Sequence, residues 1–197
     1  MTATKNYYEK NEKKVLMIDI PFLIPTNWCW AKSKQLLSNV QYGFNGAGVA
    51  NGIYKLLRIT DIQNGDVNWE TLPCCDIEVA RANDYQIKKE DIFIARTGGT
   101  IGKSYRLREA KERIIFAGYL IRFQFVEQCF SSYVEKYLNS QLYWNEVAKK
   151  SAGTGQPNIN GVSLSNLLIP VPPINEQKRI INKINKIFDF IETNQFL

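Results

Sequence analysis

The hydrophobic period of this sequence changes near Ser131, which limits the chain to a fold that is mostly β in its first two thirds and helical afterwards. Upstream of that point, short β-branched and aromatic runs predict strands at 53–59, 91–95, 104–107 and 119–126. In the last of these, Leu120, Arg122, Gln124 and Val126 alternate with Ile121, Phe123 and Phe125, the two-residue period of a sheet. A short helix is expected over 31–37. Gly43, Gly46, Gly48 and Gly52 mark a loop, and Asn64-Gly65-Asp66 is a turn signal. Downstream, Val134, Leu138 and Leu142, with Tyr137, Trp144 and Val147, recur at helical spacing. One helix is therefore expected from 132 to 150, opened by the capping-box pair Ser132 and Glu135. A breaker-rich stretch at 151–161 follows it, then a short strand at 167–169 closed by Pro170, Pro172 and Pro173.

The final segment, 175–193, takes Asn175 as its N-cap and Glu176 in its first turn, where the helix dipole favours an acid. Ile180, Ile184, Ile187 and Ile191 are spaced by 4, 3 and 4, a heptad seam that Ile181 and Phe188 widen on one side. Such a helix buries its seam either on its own domain or on a partner, and its separation by prolines favours an outside partner.

Composition removes whole classes of chemistry. The 197 residues include no histidine, so a Ser-His-Asp triad, a Cys-His pair and a His-ligated zinc site are all excluded. Cys29, Cys74, Cys75 and Cys129 lack paired metal-ligand spacing, and are read as free thiols in a reducing compartment. No metal or cofactor is expected. No apolar run reaches the roughly 18 residues of a membrane span, and the polar start has no signal-peptide core, so a cytoplasmic protein without membrane association is expected. The excess of 25 Lys+Arg over 19 Asp+Glu concentrates at 81–122, where ten basic side chains meet five acidic ones among Tyr85, Tyr105 and Tyr119. That is the pattern of a polyanion-binding face, or of a merely solvated one.

Gly98-Gly99-Thr100-Ile101-Gly102-Lys103-Ser104 suggests a phosphate loop, but Thr97 stands where a Walker loop needs its first glycine. The residues that follow are strand formers, where that motif requires a helix. Exposed loop amides with Arg96 and Lys103 suit a nucleic-acid backbone equally well.

Four groups of residues carry a family resemblance. They are Ile24-Pro25-x-x-Trp28; Arg58-Ile59-x-Asp61-Ile62-x-x-Gly65; Asp91-Ile92-x-Ile94-Ala95-Arg96-Thr97-Gly98-x-Thr100-Ile101-Gly102-Lys103; and Gly153-Thr154-x-Gln156-x-Asn158-Ile159 with Leu167-x-Ile169-Pro170-x-Pro172-Pro173-x-x-Glu176-Gln177-x-x-Ile180. The sequence resembles the specificity subunits of type I restriction-modification systems over about residues 18–193. The resemblance implies a mixed α/β, β-rich target-recognition domain at 18–173, preceded by a tail at 1–17 and followed by a coiled-coil-type spacer helix at 174–197. It implies a chain that catalyses nothing, reads one half of a bipartite double-stranded DNA site, and docks a DNA methyltransferase subunit and a restriction subunit. Family members usually carry two such domains and two such helices. One of each suggests a half-subunit, a product of a truncated or recombining gene, or a fragment. A half-subunit would form a homodimer through its helix, and about 18 helical residues would span roughly 27 Å, near one turn of DNA. The candidate DNA contacts are Arg96, Thr97, Lys103, Lys149, Lys150, Thr154, Gln156 and Asn158. The candidate partner-helix residues are Ile180, Ile184, Ile187, Phe188 and Ile191. Two other readings stay open: a protein-interaction module using the isoleucine seam, and a nucleotide-dependent enzyme using the 98–104 loop.

Overall fold

A run with no polar face, Ile92 to Ala95, lies at the centre of the molecule with each residue at most 1% exposed, as a strand covered on both sides must be. The computed structural model describes residues 8–11, 14–17 and 20–194, apart from 64, 110, 128 and 152–157. In chain order its strands begin with β1 (Tyr8–Asn11), β2 (Lys14–Met17), β3 (Cys29–Lys32), β4 (Leu37–Tyr42), β5 (Gly48–Val49) and β6 (Tyr54–Leu57). Then come β7 (Ile62–Gln63), β8 (Asp66–Val67), β9 (Cys74–Cys75), helix α1 (Val79–Tyr85), β10 (Ile92–Ala95), β11 (Ser104–Arg106), β12 (Ile114–Phe116) and β13 (Leu120–Phe125). The remainder is α2 (Ser131–Leu138), α3 (Gln141–Ser151), α4 (Gly161–Ser165), β14 (Leu168–Val171) and α5 (Ile174–Asn194).

Two four-stranded sheets form the body, ordered β11-β10-β13-β4 and β12-β6-β9-β5. The first is antiparallel throughout, with Ile94 opposite Ile121 and Ile92 opposite Phe123. The second contains one parallel pair, β12 with β6. Strand alternation sorts the first sheet's side chains as the two-residue period requires. Ile92, Ile94, Ile121 and Phe123 pack with Val134, Tyr137, Tyr143 and Val147 of α2 and α3, and with Leu164, Leu167 and Ile169. Phe93, Ala95 and Leu120 face the other way, onto Leu57, Ile114 and Phe116 of the second sheet.

Arg122 occupies that same inner face, and its side chain is 4% exposed. Its guanidinium donates to the carbonyls of Gln86 (2.7 Å) and Asp84 (3.1 Å) and to Gln41 Oε1. It also lies 3.4 Å from the Asp91 carboxylate and 4.9 Å above the Phe116 ring. Asp91 in turn accepts from Lys88 N (2.8 Å) and Gln124 Nε2 (2.7 Å). Burial still pushes the Asp91 carboxyl above its ordinary range, and these hydrogen bonds and Arg122 oppose the shift.

Several expected elements differ from those observed. Residues 31–37 form no α-helix: β3 pairs with β14, then Ser33–Gln35 makes a 3₁₀ turn and β4 begins at Leu37. The buried Ser33 hydroxyl donates to the Leu164 carbonyl at 2.5 Å, so long-range pairing overrides local preference. The single helix expected at 132–150 is two. Asn139 donates from its amide to the Glu135 carbonyl (2.7 Å), and Ser140 Oγ accepts the Tyr143 N–H (3.3 Å), which ends α2 and starts α3. The expected capping box is absent, since α2 begins at Ser131 and Glu135 instead takes Arg106 and Arg108 as ion partners at 3.0 and 3.1 Å. Helix α5 starts at Ile174, which puts Asn175 inside its first turn and not at the N-cap. Pro170 lies within β14, opposite Trp30, where the expected strand had ended. Within 1–17, expected as a tail, β1 and β2 pair antiparallel. Helix α1 and strand β12 carried no recognised signal.

Replacing Arg122 with alanine leaves Asp91 buried without its charge partner, a change that costs about 3–5 kcal/mol. Urea unfolding of Arg122→Ala is expected to show a loss of that size, and a loss below about 1 kcal/mol contradicts the role assigned to the pair.

Candidate nucleic-acid interface

Strand β10 ends at Ala95, and the next two residues tie three segments together. Arg96 N donates to the Tyr119 carbonyl (3.0 Å), and Ile159 N donates to the Arg96 carbonyl (2.9 Å). Thr97 forms a β-bridge with Asn158. The 96–103 segment and the Asn158 segment, 55 or more positions apart in sequence, thus share one edge.

The loop after Thr97 is tight. Gly98 and Gly102 have φ of +69° and +81°, backbone that favours glycine. Ala95 N donates to the Lys103 carbonyl (2.8 Å) and Gly102 N to the Ala95 carbonyl (2.9 Å), so the loop closes on the end of its own strand. The Tyr143 hydroxyl donates to the Gly102 carbonyl at 2.6 Å, seating the loop on α3. The chain then enters β11, not a helix, so no helix N-terminus faces the loop as phosphate-loop chemistry requires.

The Arg96 guanidinium lies 4.9 Å above the Tyr42 ring, a cation–π contact that holds the fork in one plane. The Tyr42 hydroxyl accepts the Gly161 N–H at 2.7 Å, which fixes the ring. Arg96, Thr97, Tyr42, Asn45 and Tyr119 line a cleft of about 310 Å³. Tyr119, 65% exposed, also walls an adjoining cleft of about 430 Å³ that extends along Gly46 and Gly48 to Arg58. Arg58 is held by Asp61, with contacts of 2.7 and 3.0 Å.

Of the eight candidate DNA contacts, the structure brings Arg96, Thr97 and Asn158 together. Lys103 is exposed on the same loop but does not line the cleft. Lys149 and Lys150 line a different cleft, beside Pro21, Leu142, Glu146 and Leu168, and Lys150 is 3.9 Å from Glu146. Burial raises the Glu146 carboxyl, while the Leu168 N–H and the two lysines oppose the shift. Thr154 and Gln156 lie outside the described residues. Sequence reading missed Tyr42 and Asn45, which no local pattern marks. Tyr119 was visible only as an aromatic among basic residues.

The basic stretch at 81–122 is partly consumed by the fold. Arg106 bonds Glu90 (3.0 Å) and Glu135 (3.0 Å), Arg108 bonds Glu135 (3.1 Å), and Arg122 is buried. The four cysteines are free thiols, and burial pushes Cys129 up to about 11, far from a reactive thiolate.

Helix α5 leaves this body in two regimes. Ile180 and Ile181 pack on the core formed with α2, and Ile184 is half-buried. Ile187, Phe188 and Ile191 continue the same stripe but are 48%, 53% and 43% exposed. The seam therefore serves its own domain first and then runs largely exposed, with Lys136 of α2 over the Phe188 ring. No helix among the described residues is long and apolar enough to cross a membrane.

Fold and site together define a mixed α/β domain with a closed loop and an arginine cleft at one edge, and an amphipathic C-terminal helix whose end is largely exposed. Residues 48–196 match the family model described as the type I restriction modification DNA specificity domain. The chain belongs to that family. It is 29% identical over 145 residues to the EcoKI specificity subunit of Escherichia coli K12, covering 71% of this chain and 30% of that protein. It is 28% identical over 178 residues to the MjaVIII specificity subunit of Methanocaldococcus jannaschii, covering 86% and 41%. The fold matches the HsdS subunit from Thermoanaerobacter tengcongensis with a TM-score of 0.66 at 17% identity, over 88% of this chain and 40% of that one. The chain thus spans well under half the length of these relatives.

A Cβ on Gly102 would sit 2.9 Å from Val147 Cγ1 and 3.0 Å from Trp144, on a backbone of φ +81°. Gly102→Ala is expected to cost more than about 1 kcal/mol, read as a fall in Tm, because strain and overpacking add. An unchanged Tm contradicts the seating of the loop on α3.

Proposed function

We propose that this chain supplies DNA sequence specificity to a type I restriction-modification assembly. Residues 18–173 read one half of a bipartite double-stranded DNA site, and 174–197 set the distance to the other half. The observation that carries this reading is the shared edge made by Thr97 and Asn158. It joins the loop after β10 to the segment before α4, beside a planar arginine held on Tyr42. A fixed guanidinium with amide and hydroxyl neighbours is the donor and acceptor set that reads base edges. Lys103 on the same loop neutralises phosphate and fixes register.

The chain itself performs no chemistry in this reading. Methyl transfer and cleavage belong to the modification and restriction subunits that it docks, in the cytoplasm. The largely exposed stripe of Ile187, Phe188 and Ile191 pairs with the equivalent helix of a second copy, antiparallel, which makes the split site palindromic. Only about two turns of helix are free, so this contact alone is weak, and DNA or the docked subunits add to it.

Retention of a random-sequence duplex of roughly 30 base pairs by the full chain is expected to fall linearly in log K against log salt, with Lys103→Ala making the slope shallower by about 1. Lys149→Ala, in the other cleft, is expected to leave the slope unchanged. Retention that is absent or indifferent to salt overturns the DNA reading and leaves the protein-interaction module in its place.

A further inference from the structure

Gln177 is a polar side chain with no exposed surface in the first turns of a helix whose later turns are almost bare. Its side-chain carbonyl Oε1 accepts the Phe130 N–H at 3.0 Å, and its Nε2 donates to the Pro172 carbonyl at 3.0 Å. Its backbone N–H donates to the Pro173 carbonyl at 3.0 Å. Phe130 is the residue from which α2 starts. One amide therefore spans the beginning of α2, the end of the β14 segment and the first turns of α5. Other contacts of α5 with the body include Ile180 and Ile181 on the core, and lysines over rings: Lys178 over Phe130 at 5.4 Å and Lys136 over Phe188 at 5.5 Å. Apolar and cation–π contacts hold two surfaces together but tolerate sliding and tilt. Two hydrogen bonds from one planar amide do not, because each weakens steeply once its angle is lost.

We infer that Gln177 is a positioning residue that fixes the direction in which α5 leaves the domain. Its functional consequence rests on the specificity reading above. From Gln177 to Asn194 the helix runs about 26 Å, so a tilt of roughly 10° at its base carries its end about 5 Å sideways. Successive base pairs of DNA are about 3.4 Å apart. A helix that measures the gap between two half-sites to a single base pair must therefore be held at its base to within a few degrees. Among the described residues, the buried amide has the geometry to do that.

The test measures direction in the full chain without DNA. Lys89 on the body and Glu192 near the end of α5, both exposed, are each replaced by a ketone-bearing residue carrying a spin label. The native cysteines stay untouched, and the labelled chain is diluted with unlabelled chain. Pulsed dipolar spectroscopy is expected to give one narrow distance. Gln177→Met keeps the volume and loses both bonds, and Gln177→Glu keeps the acceptor and loses the donor; each is expected to at least double the width of that distribution. Ile181→Ala, which weakens packing at the same junction, is expected to lower Tm and leave the width unchanged. Gln177→Glu decides the matter if Gln177→Met does not fold. An unchanged width in the Gln177 variants overturns the inference, as does equal widening in Ile181→Ala. If the chain fails to bind DNA yet shows a narrow, Gln177-dependent distance, the specificity reading fails and the positioning role stands.

Discussion

The buried pair of Asp91 and Arg122 is the constraint on which the rest of the arrangement depends. Asp91 directly precedes β10, and Arg122 in β13 lies opposite Phe93. Through Gln41, Asp84 and Gln86 the same guanidinium also holds β4 and the end of α1. A buried charge is costly unless it is paired and hydrogen-bonded, and this one meets the Asp91 carboxylate and three further oxygens through its two terminal nitrogens, while its Nε has no acceptor among the described residues, so the network restricts how the two sheets meet. Five residues after Asp91 comes Arg96. The cleft at the end of β10 thus inherits its position from a strand whose neighbour β13 is fixed by that network.

Much of this was legible in the sequence because period reports burial. Strand alternation at 119–126 marked β13 as a strand, and the helical periods after Ser131 marked the region of α2 and α3, though as one helix, and α5. What period could not report was the sign of an exception. Arg122 lies on a polar-looking alternation and reads as solvent-facing, yet it is buried because Asp91 and three carbonyl or amide oxygens wait for it. The same blindness inflated the basic stretch at 81–122, since Arg106, Arg108 and Arg122 are committed to the fold by acids that are distant in sequence or sit in another element. Residues 31–37 failed for a related reason. Their strand exists only because β14, more than 130 positions later, offers it a partner.

The site shows the same division. Arg96, Thr97 and Asn158 were visible as motif residues, and their meeting at one edge follows from a bridge that no local pattern encodes. Tyr42 and Asn45 reach the cleft only through the pairing of β4 with β13, and so carry no signal of their own. Lys149 and Lys150 look equivalent to Lys103 in sequence but lie on the wall of another cleft, because α3 turns its Tyr143 and Val147 side to the loop and its lysines elsewhere. The isoleucine seam divides along the length of α5. Its first two turns are anchored, and its last two present the same stripe to solvent.

In the proposed function, other subunits supply the chemistry and this chain supplies the DNA address. The most direct measurement is affinity purification of the tagged full chain from its native cell, with identification and quantification of what copurifies. The account predicts a DNA methyltransferase subunit in stoichiometric amount. Its absence, from a host that encodes such an enzyme and expresses it alongside the chain, would contradict the claim that this chain gives an assembly its DNA address.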